Sequence, residues 1–220
     1  MNLVRDLLLE SAKKAERDPG SVRLLAVSKK QPLAKVLEAA AAGQRDFGEN
    51  LVQEGVAKIE QTAREGLTWH FIGHLQTNKT RAVAEHFDWV HSIDRLKLAR
   101  RLSEQRPAGM RPLQVCVQVN IDDEAGKSGV APDALPELAR AVAELPNLEL
   151  RGLMCLPAIR TDPDEQRVPF RRLRELGEAL ARDGIETDTL SMGMSGDFEA
   201  AILEGATMVR IGTAVFGPRE

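Results

Sequence analysis

The chain has 220 residues, of which 43% are hydrophobic and 29% charged, a composition typical of a globular protein rather than a disordered one. Its formal net charge of −3 gives no reason to expect nucleic acid or an anionic membrane as a partner. The apolar runs are too short to span a bilayer, and the acidic, amphipathic N-terminus does not resemble a secretory signal. The two cysteines lack metal-ligand spacing, so we expect a cytosolic protein without a metal site.

Short β-favouring runs alternate with amphipathic helical patterns along the chain. After an N-terminal helix, we predict strands over residues 22–29, 45–48, 68–72, 89–90, 113–121, 148–153, 189–190 and 208–211. The helices that follow these strands are predicted over residues 32–42, 51–65, 78–86, 94–105, 132–145, 168–182 and 197–204. The polar segment 160–167 is predicted to be a loop.

Regular alternation of strands and helices predicts an α/β protein with a parallel sheet and right-handed crossovers. Eight such units in this length favour one (β/α)8 barrel of the TIM type, a single domain over residues 1–220. An open doubly wound sheet is the alternative, but no G-x-G-x-x-G motif follows the first strand.

Barrel active sites lie at the carboxyl ends of the strands, and Lys29 closes the first strand there. A lysine in a partly dry barrel mouth can form imines, although an isolated strand-end lysine more often reaches solvent. Lys30 competes for the same role, because adjacent strand residues point to opposite faces. The apolar run 24–27 makes both faces of the strand apolar, so alternation does not choose between the two lysines.

Two further segments indicate a phosphate site. The segment SMGMSGDFEAA, residues 191–201, places glycines and serines just before a helix that starts near Asp197, although an ordinary capped loop has the same pattern. In VRIGTAVFG, residues 209–217, Gly212 allows close backbone approach and Thr213 offers a hydroxyl. Loops after the last two strands are the usual phosphate site of a barrel. Arg210 could reach a ring nitrogen there or pair with a carboxylate.

Seven motifs are distributed along the chain: LLAVSK (24–29), FGEN (47–50), WHFIGHLQTNK (69–79), VNIDDEAGKSG (119–129), GLM (152–154), LSMGMSGDFEAAI (190–202) and VRIGTAVFG (209–217). Together they resemble one family, the pyridoxal phosphate homeostasis proteins of the YggS/PROSC type. The resemblance runs almost end to end. Lys30 and Gln31 depart from it, because the family more usually has threonine and then lysine there.

The resemblance implies the fold of the alanine racemase N-terminal domain (fold type III), with pyridoxal 5′-phosphate (PLP) as cofactor and Lys29 as its Schiff-base lysine. The other residues that it places around the cofactor are Ser195, Gly212 and Thr213 at the phosphate, Arg210 at the pyridine nitrogen, and Asn50, His70 and Met192 along the pocket. For His70, which lies inside an apolar strand, a satisfied core histidine is the alternative.

The implied function is binding of PLP in intracellular vitamin B6 homeostasis, as carrier or regulator, with no catalytic residue. A low-activity amino-acid racemase or a decarboxylase is one alternative, and a barrel enzyme for another phosphorylated ligand is a second. Racemases on this barrel take a second base, normally tyrosine, from a C-terminal β-domain; this chain has no tyrosine, and we expect no such domain. We expect a cytoplasmic monomer whose partners are PLP and apo-enzymes that need it.

Overall fold

The structure, a computed structural model, describes residues 2–217, without the side chain of Asn2. Met1 and residues 218–220, which belong to the domain predicted over residues 1–220, lie outside the described residues. Eight parallel strands pair in chain order, and the last pairs with the first, which closes a barrel. The predicted (β/α)8 barrel is therefore confirmed, and the open doubly wound sheet is excluded.

Strands and helices alternate throughout. The strands are β1 Arg23–Val27, β2 Asp46–Glu49, β3 Thr68–Phe71, β4 Trp89–Ile93, β5 Leu113–Val119, β6 Leu148–Cys155, β7 Thr189–Ser191 and β8 Met208–Ile211. The helices are α1 Asn2–Lys14, α2 Leu33–Ala41, α3 Val52–Gln61, α4 Thr80–His86, α5 Leu96–Gln105, α6 Leu135–Ala143, α7 Pro163–Arg182, α8 Phe198–Leu203 and α9 Thr213–Phe216. Short 3₁₀ turns lie at Pro19–Ser21, Thr77–Lys79 and Pro132–Ala134.

The larger hydrophobic core lies between the sheet and the surrounding helices. Phe71 of β3 and Phe87 after α4 meet edge to face there, with ring centroids 5.5 Å apart. A smaller apolar cluster of Trp89, Cys116 and Met154 is separate from it. Strand residues alternate between the two faces of the sheet, so this second cluster belongs to the barrel interior, which is otherwise rich in polar side chains.

The start of α7 differs from the prediction. The helix begins at Pro163 and not at residue 168, so most of the segment predicted as a loop over residues 160–167 is helical. The Asp162 carboxylate accepts hydrogen bonds from the N–H groups of Asp164 at 2.9 Å and Glu165 at 3.0 Å. Aspartate at the N-cap followed by proline at the first helical position is a strong start signal, and it outweighs Pro169 inside the helix.

Strand β4 and the end of the chain's described part also differ from the prediction. Strand β4 continues to Ile93, beyond the predicted residues 89–90, since its next residues, His91 and Ser92, are polar yet buried. The one-turn helix α9 after Gly212 was not predicted. Helix α8, with Asp197 at its N-cap, agrees with the helix predicted over residues 197–204.

Two negative findings concern residues 2–217. No helix in this range is both long enough and apolar enough to cross a membrane. No group of three or more histidine, cysteine or acidic side chains in it could hold a metal ion. Cys116 and Cys155 are free thiols and are both buried, and burial raises the pKa of each to about 12.

Candidate functional site at the carboxyl ends of the strands

A cavity of about 440 Å³ opens at the carboxyl ends of the barrel strands. Its volume lies in the range of small-molecule and cofactor sites. The residues that line it come from both sides of the barrel mouth and are Val27, Lys29, Asn50, Ile72, Gly73, His74, Leu156, Met194, Ser195, Gly196, Arg210, Gly212 and Thr213. Six of the eight residues proposed from the sequence are therefore brought together in one cavity.

The structure shows which of the two adjacent lysines, Lys29 or Lys30, enters the barrel mouth. The Ser28 hydroxyl bonds to Glu49 on the outer side of the sheet, so alternation turns Lys29 toward the barrel mouth. Lys29 is half-buried and lines the cavity, whereas Lys30 is exposed and has a left-handed backbone, with φ 59°. The apolar run 24–27 did not decide between the two lysines, and the turn after β1 does.

A buried ionic network contacts this turn on the outer side of the sheet. The Lys58 ammonium of α3 donates to the Ser28 carbonyl at 2.8 Å and to Glu49 and Glu54 at 2.7 and 2.8 Å. The Glu54 carboxylate also accepts the Lys30 N–H at 2.6 Å. Burial raises the pKa of Glu49 although Lys58 and Ser28 both bond to it. The network therefore joins α3, β2 and the turn that carries Lys29.

Arg210 of β8 is a buried cation whose hydrogen bonds, within the described residues, all go to serine and backbone oxygens. Its guanidinium donates from Nη1 to the carbonyl and hydroxyl oxygens of Ser191, at 2.5 and 2.8 Å, and from Nη2 to the Cys155 carbonyl at 2.8 Å. Within residues 2–217 no acidic side chain lies at salt-bridge distance, so the alternative of a strand-end ion pair is not found. Burial lowers the pKa of Arg210, but arginine stays charged.

The loops after β7 and β8 bring two hydroxyl groups and two glycines to the same side of the cavity. Ser195 and Thr213 are exposed there, and neither hydroxyl bonds to another of the described residues. A Cβ on Gly212 would lie 3.2 Å from the Val27 carbonyl oxygen, so glycine is what lets β8 and β1 approach at this point. Gly196 also lines this side.

The position of the Ser195 loop is fixed from two directions. The Asp197 carboxylate accepts the Met194 N–H at 2.6 Å, which closes the loop on itself. Beyond α8, the buried Glu204 pairs with Arg167 and Arg171 of α7 at 2.7 and 3.1 Å. Burial alone would raise the pKa of Glu204, but these arginines outweigh it and lower the pKa. Helix α7 thereby holds α8 and the loop before it.

Two of the residues proposed for the pocket do not reach it. His70 lies one layer below Ile72 on the same face of β3 and is fully buried, bonded to Asp46 and His91. Met192 is fully buried in the outer core, because its neighbour Ser191 points into the barrel. The expectation that His70 and Met192 line the pocket is not supported by their positions, and the core-histidine alternative describes His70.

Sequence reasoning missed several residues of the cavity wall. Met194, rather than Met192, lines it, because Gly193 has φ 92° and turns the chain after β7. Gly73 lies where a Cβ would be 2.2 Å from the Asn50 carbonyl oxygen, so the β2 and β3 loops touch at the rim. Asn50 and Gly73 belong to the motifs FGEN (47–50) and WHFIGHLQTNK (69–79), but only the register of the strands shows that they meet.

The comparisons with known proteins agree with one another. The family model described as alanine racemase, N-terminal domain, matches residues 9–220. The pyridoxal phosphate homeostasis protein of Pseudomonas aeruginosa is 61% identical over 211 residues, which are 96% of this chain and 90% of that protein. The chain belongs to the pyridoxal phosphate homeostasis protein family. The member from Escherichia coli K12 is 54% identical, over 99% of this chain and 94% of its own length.

A solved structure extends the comparison to three dimensions. PipY of Synechococcus elongatus, solved with PLP bound, superimposes on this chain with a TM-score of 0.84 at 39% sequence identity. The match covers 96% of this chain and 100% of PipY. The barrel described above therefore matches that of PipY over nearly the whole of this chain.

The Lys58 network generates a prediction about stability. Lys58→Met should destabilise the protein by roughly 3–5 kcal/mol, the usual effect of leaving a buried charge unpaired. The pKa of Glu49, already raised, then rises further above its unfolded value, so the loss should be larger at mildly alkaline than at mildly acidic pH. Denaturant unfolding at several pH values measures both effects.

Two variants serve as controls for this prediction. Lys97→Met changes an exposed lysine and should leave the free energy of unfolding almost unchanged. Adding Glu49→Gln to Lys58→Met removes the unpaired carboxylate and should restore part of the stability. A pH-independent loss in Lys58→Met would contradict this account of the network.

Proposed function

We propose that this protein binds PLP through Lys29 and acts in intracellular PLP homeostasis as a carrier of the cofactor. The observation that carries the proposal is the convergence of Lys29, Arg210 and two hydroxyl groups in one cavity at the carboxyl end of the barrel. The family supports it, since members 54–61% identical are named pyridoxal phosphate homeostasis proteins. PLP bound to the related protein PipY supports the identity of the ligand.

The donor set of the cavity fits PLP. When bound, PLP supplies an aldehyde for a lysine amine, a phosphate and a pyridine ring. Lys29 provides the amine, and the hydroxyls of Ser195 and Thr213, with no other partner among the described residues, are available to donate to the phosphate. Arg210 uses three of its N–H donors on protein oxygens, and arginine has five, so donors remain for the pyridine nitrogen.

The same residues favour holding the cofactor over catalysis at an amino acid. Arg210 can only donate, so it does not take a proton from the ring nitrogen or stabilise it in the protonated state that draws electrons from a substrate. None of the 220 residues is a tyrosine, the usual second base of racemases on this barrel. The cavity is also open at the mouth, where an incoming amine reaches Lys29. We therefore propose that the protein has no substantial turnover.

Delivery implies apo-enzymes as partners and the cytosol as the place of action. Many PLP enzymes work there, and free thiols such as Cys116 and Cys155 stay reduced in that compartment. The eight strands close the barrel within one chain, and we propose that the carrier acts as a monomer.

Attachment through Lys29 has a direct chemical test. Borohydride reduction of the PLP-loaded protein should fix the cofactor to the peptide that contains Lys29, because this amine lines the cavity whereas Lys30 is exposed. Peptide mapping by mass spectrometry measures the position. The Lys30→Ala variant should give the same labelled site, and a label on Lys30, or on no lysine, in the wild-type protein would reject the assignment.

The phosphate contacts give a second test. Ser195→Ala and Thr213→Val should each weaken PLP binding by roughly 1–3 kcal/mol, because a charged acceptor loses a donor. Neither change should alter the binding of pyridoxal, which lacks the phosphate. Thr187→Val, in the loop before β7 and away from the cavity, is the matched control. Equal losses for PLP and pyridoxal would place the phosphate elsewhere.

The carrier role is tested by transfer. Loaded protein mixed with apo-aspartate aminotransferase should restore its activity, and a phosphatase that destroys free PLP distinguishes direct transfer from release followed by capture. No recovery over hours, with or without the phosphatase, would contradict a store-and-deliver role. Fast exchange of the alanine α-hydrogen with solvent deuterium, with inversion, would instead favour the racemase alternative.

A further inference from the structure

A single line of hydrogen bonds runs through the barrel from Arg210 to the opposite end. Arg210 Nη1 contacts the Ser191 hydroxyl at 2.8 Å, and that hydroxyl contacts His91 Nδ1 at 2.8 Å. His91 Nε2 lies 2.9 Å from His70 Nδ1. His70 Nε2 lies 3.1 Å from the Asp46 carboxylate, at the amino-terminal end of β2. The line therefore joins the floor of the cavity to the far rim of the barrel.

The two ends determine the direction of every bond between them. A guanidinium can only donate, and a carboxylate can only accept. If Asp46 accepts from His70 Nε2–H, then neutral His70 must accept at Nδ1 from His91 Nε2–H. His91 must then accept at Nδ1 from the Ser191 hydroxyl, whose lone pair is left to face Arg210. Each member donates once toward Asp46, and none is left unsatisfied along the line.

The surroundings keep both histidines neutral, as this arrangement requires. Burial lowers the pKa of His70 even though Asp46 opposes the shift, and burial together with neighbouring positive charge lowers the pKa of His91 well below its usual value. His70 also stacks on Trp89, with ring planes 18° apart. For Asp46, the bonds from His70 and Arg23 outweigh burial and lower the pKa, so the carboxylate stays ionised.

We propose that Asp46, His70 and His91 are positioning residues that orient Arg210 for the ring nitrogen of the bound cofactor. The proposal rests on the function proposed above. The fixed tautomers turn the Ser191 lone pair toward Nη1, which anchors that side of the guanidinium. The donors that remain on Arg210 then face the cavity. In a reversed line His91 Nδ1–H would donate to the Ser191 oxygen, and the hydroxyl hydrogen would lose His91 as its acceptor.

The chain offers matched pairs of substitutions for a test. Ser191→Ala removes the hydroxyl that links His91 to Arg210 and keeps the Ser191 carbonyl bond to Nη1. Ser92→Ala removes an equally buried hydroxyl that has no hydrogen-bond partner in the structure. Asp46→Asn replaces the acceptor-only end, whereas Asp188→Asn makes the same change in the Arg151 ion pair, outside the line.

The first experiment needs no cofactor. Nitrogen-15 NMR of the imidazoles in the ligand-free protein should show His70 and His91 neutral and protonated at Nε2, in the wild type and in Ser92→Ala and Asp188→Asn. Asp46→Asn should give a mixture of tautomers at both histidines, because an amide can donate as well as accept. An imidazolium or an Nδ1–H form at neutral pH in the wild type, or unchanged tautomers in Asp46→Asn, would overturn the proposal.

The second experiment measures PLP affinity by titration of its absorbance. Ser191→Ala and Asp46→Asn should each raise Kd by about two- to tenfold, the equivalent of one neutral hydrogen bond, and should shift the absorption band of the bound cofactor. Ser92→Ala and Asp188→Asn should do neither. Failure of the wild type to bind PLP would reject the proposed function, whereas equal effects of Ser191→Ala and Ser92→Ala in a protein that binds PLP would reject the positioning role alone.

Discussion

A permanent positive charge buried inside the barrel is the constraint on which the interior depends. Taking an ion from water costs several kcal/mol, and within residues 2–217 no carboxylate lies at salt-bridge distance from Arg210 to offset that. Two carbonyl oxygens and the Ser191 hydroxyl compensate instead, and strands β6, β7 and β8 must keep a fixed register to present them. The interior is consequently polar along one line, beside an apolar cluster of Trp89, Cys116 and Met154.

The architecture was predictable because it depends on periodicity, which the chain shows clearly. All eight strands and the helix before the first of them appear where alternation placed them, and the barrel followed from their number. The errors have local causes. His91 and Ser92 concealed half of β4, since a buried polar pair looks like a loop. The polar composition of residues 160–167 concealed the start of α7, although Asp162 marked it.

The cavity was predictable at residues whose chemistry is unusual for their place in the sequence, such as Lys29 and Arg210. The remaining lining residues were not predictable, because they depend on which face of a strand each side chain points to. A one-residue difference in position reverses that face. Met192 and Met194, two residues apart, would share one face of a continuous strand, but the turn at Gly193 leads only Met194 to the cavity. His70 is separated from the cavity by a single layer. The partners of Arg210 lie up to 55 residues away in sequence, which no local pattern reveals.

The two thiols have a consequence for how the protein responds to oxidative stress. Only the thiolate reacts readily with peroxides or disulfides, and a thiol whose pKa is about 12 is almost never ionised near neutral pH. Cys155 contributes its carbonyl to Arg210, and Cys116 packs against Trp89, so oxidation of either would disturb the floor of the cavity. Their burial therefore protects the floor of the cavity from changes in the redox state of the surroundings.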